Sequence, residues 1–423
     1  DDVNSGGTEI RFYVFVDDTN KGYYTRRFQD SDVAFYVNPS AGYSLESIQL
    51  NSKKDLSGVG RGTYANQNPN DTINLSDVRG IQINLKSKEA NVSKIDTVDG
   101  RADGISMGLY NYSSAINSPS VAADGFYFHN NVGGVDGPNN AGTATYTHTS
   151  NQRVHQEYLK NNLSENGYPL LTSGDSLEYL FESGTAVTAY NGLSGLFQKD
   201  ENGYYYYDSS NHHAQLNQEN NWLDVYNARL SPLQSSFNYG NFLPFNNLPA
   251  TARDNTLSSV DGGRAATDYW FGMNIGMNFY QPKNGEINGE DMVFDFRGDD
   301  DVWVFIDGIK VLDLGGIHDK KEGSINFKTG VVKAEGIDDT TIAARYEAAY
   351  REANPRANQA KVTEYLDGIF NKDRDGSYTS FKNFSSHSME FFYLERGGGA
   401  ANCKISFNMR PLPTDSVTVS KEI

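Results

Sequence analysis

The 423-residue chain has a single cysteine, Cys403, so no internal disulfide can staple it. Long apolar runs are missing too. None approaches the ~20 residues that a membrane-spanning helix needs, so membrane insertion is not expected. Basic residues are scarce: 36 Lys plus Arg stand against 54 Asp plus Glu, a net charge of −18. Nucleic acid and anionic lipid both require a basic face, which argues against either as a partner. There is no internal repeat at the usual solenoid periods. No Gly-x-Ser-x-Gly or Cys/His nucleophile pattern stands out, and His212-His213 lacks a metal-ligand spacing. The chain opens on Asp1 with no Met and no signal segment, and reads as one piece of a longer protein.

What remains is rich in Gly (41), Tyr (27) and Phe (23), the composition of a mainly β protein. Apolar residues at 37% suffice for real cores, and the length implies two or three domains. An acidic chain of this size without disulfides fits an exposed surface protein, and an acidic cytoplasmic protein would look the same by this test.

Strand signals at 9–16, 32–37, 43–50 and 80–87, with a hairpin loop at 17–22, predict a small N-terminal β-sandwich over 1–98. Composition shifts near Asp99-Gly100-Arg101, and 105–112 reads as the first strand of a larger domain over 99–413. Its first part, 113–260, is rich in Asn, Gly, Ser and Tyr, with possible helices at 151–163 and 176–181. Tyr204 to Tyr207 is either an aromatic strand or a sticky surface. The core pattern sharpens over 268–410: strands at 268–280, 292–296, 302–306, 310–314, 389–394 and 404–409. An Asp307-Gly308 hairpin turn joins the third to the fourth. Helical spacing predicts an inserted helical hairpin at about 338–370. Pro411 and Pro413 end the domain, and 414–423 reads as the opening of a further domain.

The chemistry concentrates in Gly298-Asp299-Asp300-Asp301-Val302-Trp303-Val304-Phe305-Ile306-Asp307-Gly308. Three adjacent anions beside a core strand are costly to bury without a cation. Successive strand residues face opposite ways, so neighbouring aspartates grip one ion only if the backbone turns, for instance through a cis peptide. A calcium ion suits such hard oxygen ligands, and the alternative is a solvated acidic turn. Elsewhere, Asn371-Lys372-Asp373-Arg374-Asp375-Gly376-Ser377 has the opening of a calcium loop, but position 12 is Lys382. A polar turn or a weak second calcium site both fit. His318 is read as a hydrogen-bonded structural histidine, with a ligand role as the rival. Lysines near Asn or Asp leave intramolecular isopeptide bonds open.

The strings Asp268-Tyr269-Trp270-Phe271-Gly272-Met273, Phe294-Asp295-Phe296-Arg297-Gly298-Asp299-Asp300-Asp301, Asp313-Leu314-Gly315-Gly316-Ile317-His318 and Phe391-Phe392-Tyr393-Leu394-Glu395-Arg396-Gly397-Gly398 occur in this order. They resemble the fibro-slime branch of the protective-antigen-type, flocculin-like lectin sandwich, strongly over 268–410. The resemblance implies a β-sandwich with Ca²⁺ at one end, held by a cis Asp299–Asp300 pair, with Asp301 where a glycine is commoner. It implies that the loop 395–402 completes the site through Glu395, Gly397 and Gly399. Asp301, Arg396 and Asn402 would join the two aspartates at the ligand, with Asn402 the alternative side-chain ligand to the ion. The implied activity is capture of a host or dietary glycan or glycoprotein, without bond breaking. The implied setting is an extracellular adhesin, cell-wall-anchored or pilus-associated, whose further domains follow at the C-terminus. A calcium-stabilised structural or pilus-tip capping module is the alternative, and a glycan-active enzyme a further one.

Overall fold

The computed structural model describes residues 9–16, 23–28, 78–86, 93–123, 126, 128, 131–132, 135–136, 154–156, 158–227, 240–246, 248, 268–396 and 400–412. The expected strands at 32–37 and 43–50, the hairpin loop at 17–22 and the tail 414–423 lie outside these. The chain divides into two compact units, Asp1–Ser93 with Asn227–Ser236, and Lys94–Tyr226 with Phe237–Ile423. In the first, β1 (Glu9–Val16), β2 (Tyr23–Phe28) and β3 (Val78–Lys86) form an antiparallel sheet with β1 in the middle.

The second unit is mainly β and is built on two antiparallel sheets. The first contains β4 (Ile105–Tyr112), β5 (Val187–Asn191), β9 (Phe271–Tyr280), β11 (Asp301–Ile306), β12 (Ile309–Leu314) and β18 (Ser386–Glu395). Their order is β12-β11-β18-β9-β4-β5. The second sheet contains β6 (Tyr205–Asp208), β10 (Val293–Gly298), β13 (Lys321–Asn326), β14 (Val331–Ala334), β15 (Ile337–Thr341) and β19 (Cys403–Phe407). It runs β15-β14-β13-β10-β19-β6 and ends on the short strand Gln198–Lys199. A hairpin of β7 (His213–Asn217) and β8 (Trp222–Asn227) stands apart from both sheets.

Alternation decides which side chains meet between the sheets. Phe391 and Tyr393 of β18 point at Phe294 and Phe296 of β10, with ring centroids 5.7–6.1 Å apart. Tyr205 and Tyr207 are buried while Tyr206 is half-buried, so the tyrosine run is a core strand. β11 is buried along its whole length, because its other face is covered as well. There Phe126 meets Trp303, and Phe181 meets Phe392.

That cover corrects one expectation. Of the helix expected at 151–163, the described residues 154–156 and 158–163 carry none, and 151–153 and 157 lie outside the described residues. The carbonyls that a helix would turn inward are taken by β12: Lys310 Nζ donates to Gln156 O and Leu159 O, and Lys310 N–H donates to Asn161 O. The buried ammonium is neutralised by Asp313 Oδ2 at 2.7 Å. At 176–181 only a 3-10 turn forms, Glu178–Leu180. The helical hairpin is present as α1 (Ile342–Ala353) and α2 (Gln359–Ile369). Thr341 caps α1 by accepting from Ala344 N–H, and Asn358 caps α2 by accepting from Lys361 N–H. The hairpin is clamped to the sheet at the Asp307-Gly308 turn, whose residues take φ of 50° and 76°. Asp307 Oδ2 accepts from Tyr346 OH at 2.9 Å and lies 2.7 Å from His387 Nδ1.

On the outer face of the first sheet, beyond Phe392, Glu390 and Ser388 are half-buried and Asn278 and Tyr280 exposed. Here Glu390 of β18 pairs across Gly276 of β9 with Ser106 of β4. Burial pushes the Glu390 carboxyl up to about 7. The unfolded chain therefore loses its proton first, and stability falls as pH rises from the ordinary glutamate range through 7. At about 1.4 kcal/mol per unit, with partial screening by water, Glu390→Gln is expected to stabilise the protein by about 1–3 kcal/mol at pH 8. The gain is expected to vanish near pH 4. Urea titrations at the two pH values check this, and a destabilised variant at pH 8 would contradict it.

Candidate metal centre

The three aspartates sit where β10 hands over to β11, at one end of the sandwich. All three are buried: Asp299 is 4% exposed, Asp300 2% and Asp301 0%. The bend is made without a cis bond. No cis peptide occurs among the described residues, and Asp300 instead takes a left-handed φ of 60°. Aspartate tolerates that region better than most residues, so the backbone turns at Cα and the expected cis Asp299–Asp300 linkage is corrected to trans.

Each carboxylate is held by fixed donors from two loops. Asp300 Oδ1 accepts from His318 N–H at 3.2 Å and Oδ2 from Arg396 N–H at 2.6 Å. Asp299 Oδ2 accepts from the backbone N–H of Asn402 at 2.9 Å and from its side-chain amide at 2.5 Å. Asp299 N–H in turn donates to Asn402 O at 3.0 Å, locking the bend to the 395–402 loop. Oδ1 of Asp299 takes no hydrogen bond among the described residues. Burial raises the Asp299 carboxyl above the ordinary carboxylate range, offset in part by the Asn402 donors. Burial also raises Asp300, opposed by His318 and reinforced by Asp301.

Asp301 goes a different way. Its Oδ2 accepts from Arg396 Nε at 2.5 Å and its Oδ1 from Gly316 N–H at 2.6 Å. The Arg396 guanidinium lies 4.3 Å over the Phe126 ring, and both Asp301 and Arg396 are wholly buried. These two residues were expected at the ligand, and the fold instead makes them partners of each other in the interior. The pairing spans 95 positions, so no local pattern announces it.

Glu395 ends β18 fully buried, with Tyr393 OH donating to its Oε2 at 3.3 Å. Gly397 and Gly399 lie outside the described residues. His318 packs at the site through its ring nitrogens, 2.9 Å from Asp319 O and 3.1 Å from Leu314 O. The 371–382 segment lies in a hairpin of β16 (Phe370–Lys372) and β17 (Tyr378–Phe381), whose turn has Asp373 Oδ1 accepting from Asp375 N–H and Ser377 N–H, on the pattern of a polar turn.

Among the described residues no group of three or more His, Cys, Asp or Glu side chains is placed to hold a metal ion. The set expected here, Asp299, Asp300 and Glu395 with oxygens of Gly397 and Gly399, is therefore not assembled as a three-carboxylate group, and its two glycines lie outside the described residues. Charge favours a cation in it. Four carboxyl groups, Asp299, Asp300, Asp301 and Glu395, are buried in this part of the fold, with Arg396 and His318 buried beside them. A hard divalent ion would favour the ionised forms of Asp299 and Asp300, which burial disfavours. Asp299, through its unengaged oxygen, and Asp300 are the residues that would hold it.

No family model matches the chain, and no solved structure matches it. Several curated proteins of Dictyostelium discoideum are similar over short stretches. Protein psiF is 32% identical over 117 residues, 28% of this chain and 11% of that protein. Protein psiO is 42% identical over 67 residues, 16% of this chain and 8% of that protein. Protein psiQ is 67% identical over 34 residues, 8% of this chain and 4% of that protein. The matched part is thus about a tenth or less of each relative's length.

Proposed function

We propose that the second unit is a calcium-dependent glycan-binding module of an extracellular adhesin. The observation that carries this is the buried excess of carboxylate at the Asp299–Asp300 bend, tied by hydrogen bonds to the loop that ends in Asn402. Calcium takes six to eight oxygens, so two aspartates and a few carbonyls leave positions for vicinal sugar hydroxyls. The half-buried Asn402, hydrogen-bonded to Asp299, is the residue we assign to contact with that sugar. Such capture breaks no bond. Among the described residues no helix is long and apolar enough to cross a membrane.

The depth of the aspartates favours a second reading, in which calcium only rigidifies the end of the sandwich. A glycan array probed with the full chain in calcium and in EDTA separates the two. Calcium-dependent binding that disappears in Asp299→Asn is the expected result. A calcium effect on melting with no glycan retained would leave the structural reading in place.

A further inference from the structure

We propose that a groove beside the helical hairpin binds an acidic saccharide, with the anionic group of a sugar on Arg374 and Lys382 and a sugar ring stacked on Phe384.

The groove has a volume of about 1110 Å³. Its lining comes from two parts of the chain. One is β16, β17 and the turn that leaves β17; the other is the segment around Asn284 together with Lys328. Asn284 N–H donates to Asn383 Oδ1 at 2.9 Å and ties the two parts together. Charge in the groove is unbalanced. Lys328, Lys372, Arg374 and Lys382 line it against Glu286 and Asp367. Both acids are already paired: Lys328 Nζ lies 2.8 Å from Glu286 Oε1, and Lys372 Nζ lies 2.6 Å from Asp367 Oδ1. The side chains of Arg374 and Lys382 make no ion pair or hydrogen bond among the described residues. Asp373 and Asp375 flank Arg374 in sequence but do not line the groove, and Asp373 Oδ1 is taken by N–H groups of its own turn. Two unpaired cations at one cavity, in a chain of net charge −18, select an anion. The planar fork of Arg374 suits a carboxylate or a sulfate.

Phe384 is an independent observation. It follows the groove-lining Lys382 and Asn383 directly, so its Cα stands about 3.8 Å from that of Asn383. Its φ is 65°, and the other five non-glycine residues with positive φ among the described residues are all Asn or Asp. Ser385 N–H donates to Lys382 O at 3.1 Å, so Phe384 holds the third position of a β-turn, where glycine or asparagine ordinarily supplies the positive φ. A bulky residue there is strained. Burial does not offset the strain, because Phe384 is 72% exposed. The backbone beneath it is fixed all the same: Phe384 N–H donates to Gln281 O at 2.7 Å, and Ser385 Oγ donates to Lys382 O at 2.6 Å. An aromatic ring held open on a fixed, strained turn beside a cationic groove is a preorganised platform for a ligand.

The rest of the lining favours a sugar over other anions. The side-chain amide of Asn284 and the amide nitrogen of Asn383 make no hydrogen bond among the described residues, and they offer donors and an acceptor to sugar hydroxyls. A pyranose has an apolar face for Phe384 and, where it carries a uronate or a sulfate, a charge for Arg374 and Lys382. A nucleic acid would bring a charge with every residue to a chain that is acidic overall, and two free cations do not offset that.

The site shares no residue with the Asp299–Asp300 bend, so the two readings fail separately. The test is fluorescence anisotropy of labelled hyaluronan, polygalacturonate and chondroitin sulfate oligosaccharides with the full chain, in excess EDTA at physiological salt. Hyaluronan and polygalacturonate offer carboxylates alone and chondroitin sulfate adds sulfate, so the arms tell which anion is read. At least one is expected to bind, and labelled dextran, which is neutral, is not. The double variant Arg374→Ala/Lys382→Ala and the single variant Phe384→Gly are each expected to weaken binding about tenfold or more. Asp299→Asn is expected to leave it unchanged. Phe384→Gly is also expected to melt at or above the wild type, because glycine takes the left-handed φ without strain, so loss of binding in it is not loss of fold. Binding of none of the three acidic saccharides overturns the proposal. So does equal binding of dextran, or binding of polyphosphate or single-stranded DNA as tight as that of the best saccharide, which would mark a general attraction to polyanions. Binding that survives either the double variant or Phe384→Gly overturns it as well.

Discussion

Replacing Arg396 with methionine is expected to destabilise the second unit by about 3–5 kcal/mol, because it strands Asp301 in the interior. The pair is wholly buried, and among the described residues Asp301 has only Gly316 N–H besides the guanidinium. Methionine keeps much of the volume over Phe126 but none of the charge. The loss is therefore electrostatic rather than a cavity effect. Adding Asp301→Leu to Arg396→Met is expected to recover most of the stability, since an apolar pair of similar volume can replace a buried ion pair at little cost. Urea unfolding of the two single variants and the double variant measures the coupling. A single-variant loss below about 1 kcal/mol would mean that water reaches the pair, contrary to its burial.

The same pair shows where a sequence stops being readable. Val302, Val304 and Ile306 alternate with Trp303 and Phe305, and an Asp-Gly turn follows, so β11 and its hairpin were plain from local pattern. The 338–370 hairpin became two capped helices because one face of each is periodic, whereas four successive tyrosines carry no period and only the fold shows Tyr205 and Tyr207 turned into the core. Residues 154–163 misled because their polar spacing resembles a helix, while the deciding partner, Lys310, stands about 150 positions away. The aspartate triplet was legible as chemistry but not as geometry. Whether the bend is cis, or left-handed at Asp300, depends on donors from His318 and Arg396 that only the fold assembles. Glu390 did leave a trace, as a lone charge inside the apolar run Met389 to Leu394. What the sequence could not tell is that it would face Gly276 with no hydrogen bond or ion pair among the described residues.

Calcium is expected to raise the melting temperature of the wild type, with a specific dependence on Asp299. At free calcium about a thousandfold above the dissociation constant, linkage contributes about 4 kcal/mol. In a unit of this size that amounts to a shift of roughly 5–10 °C. Asp299→Asn should abolish the shift and also cross the wild type. Its side-chain oxygen can still accept from both Asn402 donors, while the charge that burial penalises is gone. The sign follows from the raised carboxyl. Unfolded Asp299 ionises first, so the wild type without metal loses stability as pH climbs above the ordinary carboxylate range. In EDTA at pH 7 the variant should therefore melt at or above the wild type, and in calcium below it. Asp300→Asn lacks this symmetry, because both its oxygens accept backbone N–H groups and an amide nitrogen would oppose one of them. It should be destabilised in either buffer. Lowering the pH from 7 towards 5 should shrink the wild-type calcium shift, as protons reclaim the aspartates. Differential scanning fluorimetry across pH, with calcium and with EDTA, reads all of this. Identical wild-type melting curves in the two buffers at pH 7 would remove calcium from the site and the calcium-dependent reading with it.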